Sequence, residues 1–347
     1  MTIAWPRVVL AIVSTTFSGY LPAASNVDPA LDVYAAPQQL VRLPDGRQMN
    51  LFCLGTGSPT VIMEAGAGGS TLEWRWIQRD IAKTTRACAY DRAGMGFSDP
   101  GPLPRTAEAV DQDFVALINS AKIAPPFVMV AHSLGSYYVR LYADHYRDNV
   151  VGMVLVDPSV EYQDRRFVAV NPAFAEILRK DDEDARKCLR AAKAGTLTTA
   201  SPLFAACTYG YSRDPAFSDA LFELQISRRI SVSFRATLFS ETHEMAGADS
   251  KQLAAARRSY GDMPLVILTQ APETDDAYPG STPGQVDAMN ALWSRMHEEL
   301  ASLSSRGANR NVERSGHYIQ RDRPDVVREA VEEVVKAARN LKARPLV

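Results

Sequence analysis

Serine, histidine and carboxylate residues occur in this chain in an order that suits acyl transfer, and the serine has the most informative surroundings. Phe127-Val128-Met129-Val130-Ala131 is a continuous apolar run, His132-Ser133-Leu134-Gly135 interrupts it, and Ser136-Tyr137-Tyr138-Val139-Arg140-Leu141 follows with helical period. Small-x-Ser-x-Gly between a strand and a helix is the pattern of a nucleophile elbow. So sharp a turn leaves no room for bulk two residues before or after the serine, which is why Ala131 and Gly135 suit those places. Its strain would lift the Ser133 hydroxyl clear of the sheet. The Leu134 N–H, at the start of a helix, would then face a developing oxyanion.

A further donor should come from Met63-Glu64-Ala65-Gly66-Ala67-Gly68-Gly69-Ser70, where the Ala67 N–H is the candidate. A dinucleotide-binding reading of this loop fails. After Gly66 and Gly68 the third glycine position is Thr71, and the basic residue and Ser/Thr of a phosphate loop are missing. No organic cofactor is expected. Serine needs a general base, and five histidines compete for the role. His132 lies inside the elbow with its side chain expected to turn away from Ser133, and His145 ends the following helix. His243 falls in a helical segment, and His297 sits mid-helix beside Glu298 and Glu299, where a solvated position is expected. Neither opens a His-Glu-x-x-His zinc motif, because Gly247 and Ala301 occupy the fourth positions on, so no metal is expected. His317 remains, in Glu313-Arg314-Ser315-Gly316-His317-Tyr318, on a loop that follows the last expected strand.

The elements that would position these groups are legible from period. Strands are expected at Gln39-Leu43, Met49-Leu54, Thr60-Glu64, Arg86-Tyr90, Phe127-Ala131, Gly152-Val156, Leu265-Thr269 and Asn311-Glu313, several of them near-continuous Val/Ile/Leu/Met runs of the kind covered on both faces. Helices are expected over Thr71-Ala82, Ala107-Ala121, Ser136-His145, Pro283-Ser304 and Pro324-Leu341. The Asp45-Gly46 turn joins the first two strands. Their alternation implies an α/β fold with a mostly parallel eight-stranded sheet. In such a sheet the loops at the carboxyl ends of the strands share one edge, where ligands gather. From about Val160 to Tyr260 the rhythm breaks into helix, which reads as a cap inserted after the sixth strand. The expected organisation is a signal peptide over 1–25, core over 26–159, cap over 160–260 and core over 261–347.

With 38 Lys+Arg against 40 Asp+Glu and a net charge of -2, the chain offers no footprint for nucleic acid or an anionic membrane surface. Met1 to Arg7, the uncharged stretch from Val8 to Phe17, and Ala23-Ala24-Ser25 follow the order of a secretory signal peptide. That stretch is too short to span a bilayer, which takes about 20 residues, so stable membrane insertion is not expected. Cleavage near Ser25 would leave a secreted or periplasmic protein. In an oxidising compartment the four cysteines would pair, Cys188 with Cys207 across a short loop and Cys53 with Cys88 between two strands; retained inside, they would be four buried thiols. No cysteine pair has metal-finger spacing.

Over residues 38 to 342 the chain resembles the α/β-hydrolase superfamily. Four features carry the resemblance in order: Glu64-Ala65-Gly66-Ala67-Gly68, Asp91-Arg92-Ala93-Gly94-Met95-Gly96-Phe97-Ser98, Ala131-His132-Ser133-Leu134-Gly135 and Ser315-Gly316-His317. The stretch from Asp91 to Ser98 is similar to the segment that in this family buttresses the active-site floor. The usual His-Gly before the oxyanion loop is Ala65-Gly66 here. The resemblance implies a third triad member. Most relatives carry it after the seventh strand, yet Gln270-Ala271-Pro272-Glu273-Thr274-Asp275-Asp276 has no acid at the expected spacing. Some place it directly after the sixth strand, and Asp157 in Val154-Leu155-Val156-Asp157-Pro158 fits that arrangement. Asp157 is preferred over Asp275 or Asp276. An epoxide hydrolase or dehalogenase of this fold would carry Asp at the elbow, which Ser133 excludes.

The expectation is therefore a Ser133-His317-Asp157 hydrolase of carboxylic esters, with Ala67 and Leu134 as oxyanion donors and a moderate-sized, neutral, partly apolar ester as substrate. An amide or peptide hydrolase and a catalytically silent binding protein of the same fold are the alternatives. In the cap, Ile230, Phe234 and Leu238 share a helical face near Phe204, Tyr209, Tyr211, Phe217, Phe222 and Phe239, either lining a pocket or packing cap onto body. Arg228, Arg229 and Arg235 could meet a substrate carboxylate, although a solvated face is the preferred reading.

Overall fold

The computed structural model describes residues 27–274 and 278–342. The expected signal peptide and the acids Asp275 and Asp276 lie outside the described residues. Eight strands form one sheet: β1 (Leu40–Arg42), β2 (Gln48–Leu54), β3 (Thr60–Glu64), β4 (Ala87–Tyr90), β5 (Phe127–His132), β6 (Val150–Val156), β7 (Leu265–Gln270) and β8 (Gly307–Val312). Their spatial order is β1-β2-β4-β3-β5-β6-β7-β8. The pairs β1/β2 and β2/β4 are antiparallel and the rest are parallel. This is the α/β-hydrolase fold.

The apolar runs of the sequence are the central strands, and β3, β4 and β5 are buried along their whole length. The edge strand β8 departs from the expectation. It starts at Gly307, four residues before the expected Asn311, because Asn309, Arg310 and Asn311 carry no apolar pattern on a half-buried edge. The helices are α1 (Gln78–Ile81), α2 (Ala107–Ser120), α3 (Gly135–His145), α4 (Gln163–Val170), α5 (Phe174–Lys193), α6 (Phe204–Cys207), α7 (Asp219–Arg229), α8 (Val232–Glu244), α9 (Ser250–Ala256), α10 (Pro283–Ala301), α11 (Ile319–Asp322) and α12 (Pro324–Lys342). The single helix expected over Thr71-Ala82 is broken into a 3-10 turn at Thr71–Trp74 and the short α1. There the Thr71 N–H donates to Asp91 and the Glu73 carboxylate accepts from the Gly66 N–H.

Two apolar layers hold the sheet. Phe114 and Leu117 of α2, Val139 and Tyr142 of α3, and Met289, Leu292 and Met296 of α10 cover one face. Trp74, Ile77 and Ile81 join Val327, Val331 and Val334 of α12 on the other. Gly152 lets α12 approach β6, since a Cβ there would run into Val334 Cγ1. Disulfides join Cys53 to Cys88 across β2/β4 and Cys188 of α5 to Cys207 of α6.

Between β6 and β7 the chain holds α4 to α9 and no strand. Arg92 joins these helices to the core. This fully buried guanidinium donates to Glu64 of β3, to the carbonyls of Ala65 and Gly66, and to both carboxylate oxygens of Glu241 on α8. Burial pushes the Glu64 carboxyl up to about 7, with the Arg92 charge opposing. Phe234 and Leu238 of α8 then pack onto the glycine loop, near enough that a Cβ at Gly68 would meet them at 3.2 and 3.5 Å. Among the described residues no helix is long and apolar enough to cross a membrane.

Candidate active site

The parallel strands β3, β5, β6, β7 and β8 end on the same edge, and the loops that leave them carry the candidate residues. Ser133 directly follows β5 with φ +51, a left-handed conformation that costs a non-glycine residue of order 1 kcal/mol. Its N–H donates to the Val156 carbonyl at 3.0 Å, which fixes the elbow against β6. Two residues on, a Cβ at Gly135 would stand 2.6 Å from the Ala65 carbonyl oxygen and 2.9 Å from that of Glu64. That is the steric reason for the glycine.

Ser133, His317 and Asp157 meet at this edge. The Oγ of Ser133 lies 2.9 Å from Nε2 of His317, and Nδ1 of His317 lies 2.7 Å from Oδ2 of Asp157. A carboxylate only accepts, so Nδ1 carries the proton and Nε2 is left to accept from the serine hydroxyl. Asp157 follows β6 with φ +42 and is 1% exposed. Its second oxygen, Oδ1, accepts from Trp293 Nε1–H at 2.9 Å and from the Gln270 N–H at 3.1 Å. Burial alone would raise its carboxyl, but the His317 hydrogen bond and the charges of His317 and His297 outweigh it and hold it below the usual range. His317 is held below its ordinary value, chiefly by burial and with Asp157 opposing. Both shifts favour an ionised Asp157 beside a neutral imidazole at neutral pH.

Ala67 and Leu134 face the same cavity as Ser133, and neither backbone N–H has a partner among the described residues. The neighbouring Gly66 N–H does have one, the Glu73 carboxylate. Glu73 also meets His132 Nδ1 at 2.7 Å, and His132 Nε2 lies 2.9 Å from the His317 carbonyl oxygen. One carboxylate thus ties the glycine loop, the elbow and the histidine loop together. His132 bonds away from Ser133, and its ring packs at a tilt against that of His317, 4.6 Å between centroids.

His297 is not the solvated residue that its sequence neighbours suggest. It is fully buried, bonded to Thr269 and to the Pro158 carbonyl and packed 4.3 Å from Trp293. Glu298 and Glu299 point away on the exposed side of α10. His145 pairs with Asp111, and His243 stacks on Phe239. Among the described residues no cluster of His, Cys, Asp or Glu is placed to hold a metal ion. Trp293, Glu73 and Gln270 join the site without any mark in the sequence, since nothing local distinguishes residues that act 136, 59 or 113 positions away from their partners.

A cavity of about 980 Å³ opens over Ser133. Of the apolar cap side chains singled out, Tyr209 and Phe239 line it. Phe217, Tyr211 and Phe222 instead pack with Tyr34 and Phe52, and Phe234 and Leu238 with Met95. The α4–α5 wall is acidic, with Asp164, Asp181 and Asp184. Burial raises Asp164 to about 6 and Asp181 to about 7.

The model of the alpha/beta hydrolase family matches residues 61–330. Among curated relatives, YqjL of Bacillus subtilis (strain 168), described as an uncharacterized protein, is 23% identical over 285 residues, covering 82% of this chain and 86% of its own. Among solved structures, a thermophilic esterase from Thermogutta terrifontis superposes with a TM-score of 0.58 at 19% identity, covering 87% of this chain and 99% of that one. An enol-lactonase from Burkholderia xenovorans LB400 gives 0.55 at 16%, covering 86% and 100%. At such identities the likeness carries the fold and not the reaction.

The elbow geometry yields a direct expectation. Replacing Gly135 with Ala forces the Ala65 carbonyl aside and should cost about 1–3 kcal/mol in urea unfolding. A Gly135→Ala protein as stable as the parent would contradict the close approach of helix and glycine loop.

Proposed function

The chain belongs to the alpha/beta hydrolase family, and we propose that it is a serine hydrolase cleaving carboxylic esters through a covalent acyl-enzyme. His317 removes the Ser133 proton as the hydroxyl attacks the ester carbonyl, and the N–H groups of Ala67 and Leu134 hold the resulting oxyanion. The imidazolium, stabilised by Asp157, returns the proton to the leaving alcohol. Water then repeats the cycle and frees the acid. The reading rests on one observation above all: His317 stands at hydrogen-bond distance from Ser133 on one side and from Asp157 on the other. The mechanism requires no metal or organic cofactor. Helices 163–256 act in this reading as a cap whose inner wall selects the substrate, a moderate-sized ester with a partly apolar body. The disulfides Cys53–Cys88 and Cys188–Cys207 support export, because such bonds persist in oxidising compartments.

A panel of p-nitrophenyl esters from acetate to decanoate tests the assignment. Ser133→Ala should lower kcat by at least about 10³-fold with the fold intact, and Asp157→Asn by about 10²–10⁴-fold, since the imidazole loses the group that fixes its tautomer. Turnover that survives Ser133→Ala, or a near-parental Asp157→Asn enzyme, would overturn it.

The pH profile gives an independent expectation. The base works only when neutral, and burial lowers the His317 pKa from its ordinary 6.5. The acidic limb of kcat/KM should therefore fall to half below pH 6.5, with activity retained on the alkaline side. A midpoint above pH 7 would contradict the buried, neutral imidazole.

A further inference from the structure

His297 is fully buried beside the triad acid and takes no part in the proposed steps. Spacing of four residues puts it on the same face of α10 as Trp293. Trp293 donates to Oδ1 of Asp157, its ring lies 4.3 Å from that of His297, and Nε2 of His297 lies 2.9 Å from the Pro158 carbonyl oxygen. One helix face therefore meets the left-handed turn at Asp157 through both residues.

The contacts of this ring fix its protons. A carbonyl only accepts, so Nε2 carries a hydrogen. Nδ1 lies 2.7 Å from Oγ1 of Thr269 on β7, which in turn lies 2.6 Å from Oδ1 of Asn309 on β8. The Asn309 amide is oriented by its other end, where Nδ2 donates to the Glu298 carboxylate at 3.1 Å. Oδ1 then only accepts, and Thr269 has one hydroxyl proton for two contacts. Given to Asn309, that proton leaves the Thr269 oxygen to accept from an Nδ1–H. Given to Nδ1, it leaves two oxygens 2.6 Å apart with no hydrogen between them. Only a ring protonated on both nitrogens satisfies every contact. Burial lowers the proton affinity of the ring, while Asp157 at the end of β6, the Pro158 carbonyl and Glu298 on α10 favour its charge and His317 on the loop after β8 opposes it. A neutral ring would escape the burial penalty but leave one short contact without a proton.

We propose that His297 is a buried imidazolium and a positioning residue for the triad. Its Nε2–H braces the turn that presents Asp157. Its charge holds Asp157 ionised and disfavours a second cation at His317, so the base stays neutral between turnovers. The positioning role rests on the ester-hydrolase reading; the protonation of the ring does not.

Histidine labelled in the ring with heavy nitrogen reports the protonation directly. In a long-range proton–nitrogen correlation spectrum at neutral pH, both nitrogens of His297, identified by their loss in His297→Gln, should resonate in the protonated range. Thr269→Val removes the oxygen that accepts from Nδ1–H and should move Nδ1 to the unprotonated range; that response also identifies His297 if His297→Gln does not fold. An unprotonated Nδ1 in the parent protein overturns the proposal. The kinetic readout uses p-nitrophenyl butyrate. His297→Gln keeps a donor for the Pro158 carbonyl and removes the charge, so the acidic limb of kcat/KM should move up by about half a pH unit or more, with KM within about twofold of the parent value. An acidic limb unmoved in a folded His297→Gln protein overturns the positioning role and leaves the esterase reading standing. If no ester is turned over, the esterase reading fails, and the spectrum alone decides whether His297 carries the charge.

Discussion

A negative charge held where water cannot reach it organises this site. Asp157 is buried at the end of β6 in a left-handed conformation, and each of its oxygens is met by a donor from a different part of the chain. His317 arrives from the loop after β8, Gln270 from β7 and Trp293 from α10. Burial that would neutralise an isolated carboxyl is outweighed by the His317 hydrogen bond, the charges of His317 and His297 and the Gln270 N–H. In return the carboxylate fixes which nitrogen of His317 bears the proton, and so directs the other nitrogen at Ser133. The parallel register of β5, β6, β7 and β8 makes the meeting geometric, because it brings residues from separate crossovers to one edge.

A further buried charge joins this edge to the helices above it. Arg92 bonds Glu64, two carbonyls of the glycine loop and Glu241 of α8, so the loop that presents Ala67 and the helix that roofs the cavity share one anchor. Breaking such a pair by removing one partner typically costs about 3–5 kcal/mol, because the survivor is left buried and unpaired. The arrangement also bears on the substrate. α8 turns Glu241 and Thr237 toward the core and Phe239 and Thr242 toward the cavity, so opposite faces of one helix meet the anchor and the cavity.

Local pattern in the sequence carries the fold and the residues that meet at the edge, for identifiable reasons. The elbow advertises itself because its strain demands small residues at fixed offsets, and Gly135 proves to lie against two carbonyls. His317 is legible from its place after the last strand and Asp157 from its place after the sixth. What stays hidden depends on distant contacts. His297 looks solvated between two glutamates, yet its side of α10 packs under Asp157. Trp293 donates to a carboxylate 136 positions away, and β8 is a polar edge strand with no apolar signature. Of the arginines that read as a solvated face, Arg228 and Arg229 of α7 are half-buried and Arg235 of α8 is buried at 4% exposure, its Nε donating to the Arg229 carbonyl.

On the proposed mechanism Ser133 is a nucleophile activated by His317. Mass spectrometry of the protein treated with a fluorophosphonate ester tests that role most directly, since the phosphonyl group stays on the attacking oxygen. The expected result is one adduct per chain, mapping to the peptide that contains Ser133, and its loss in a His317→Ala protein that remains folded. An adduct on another residue, or labelling that is indifferent to His317, would contradict it.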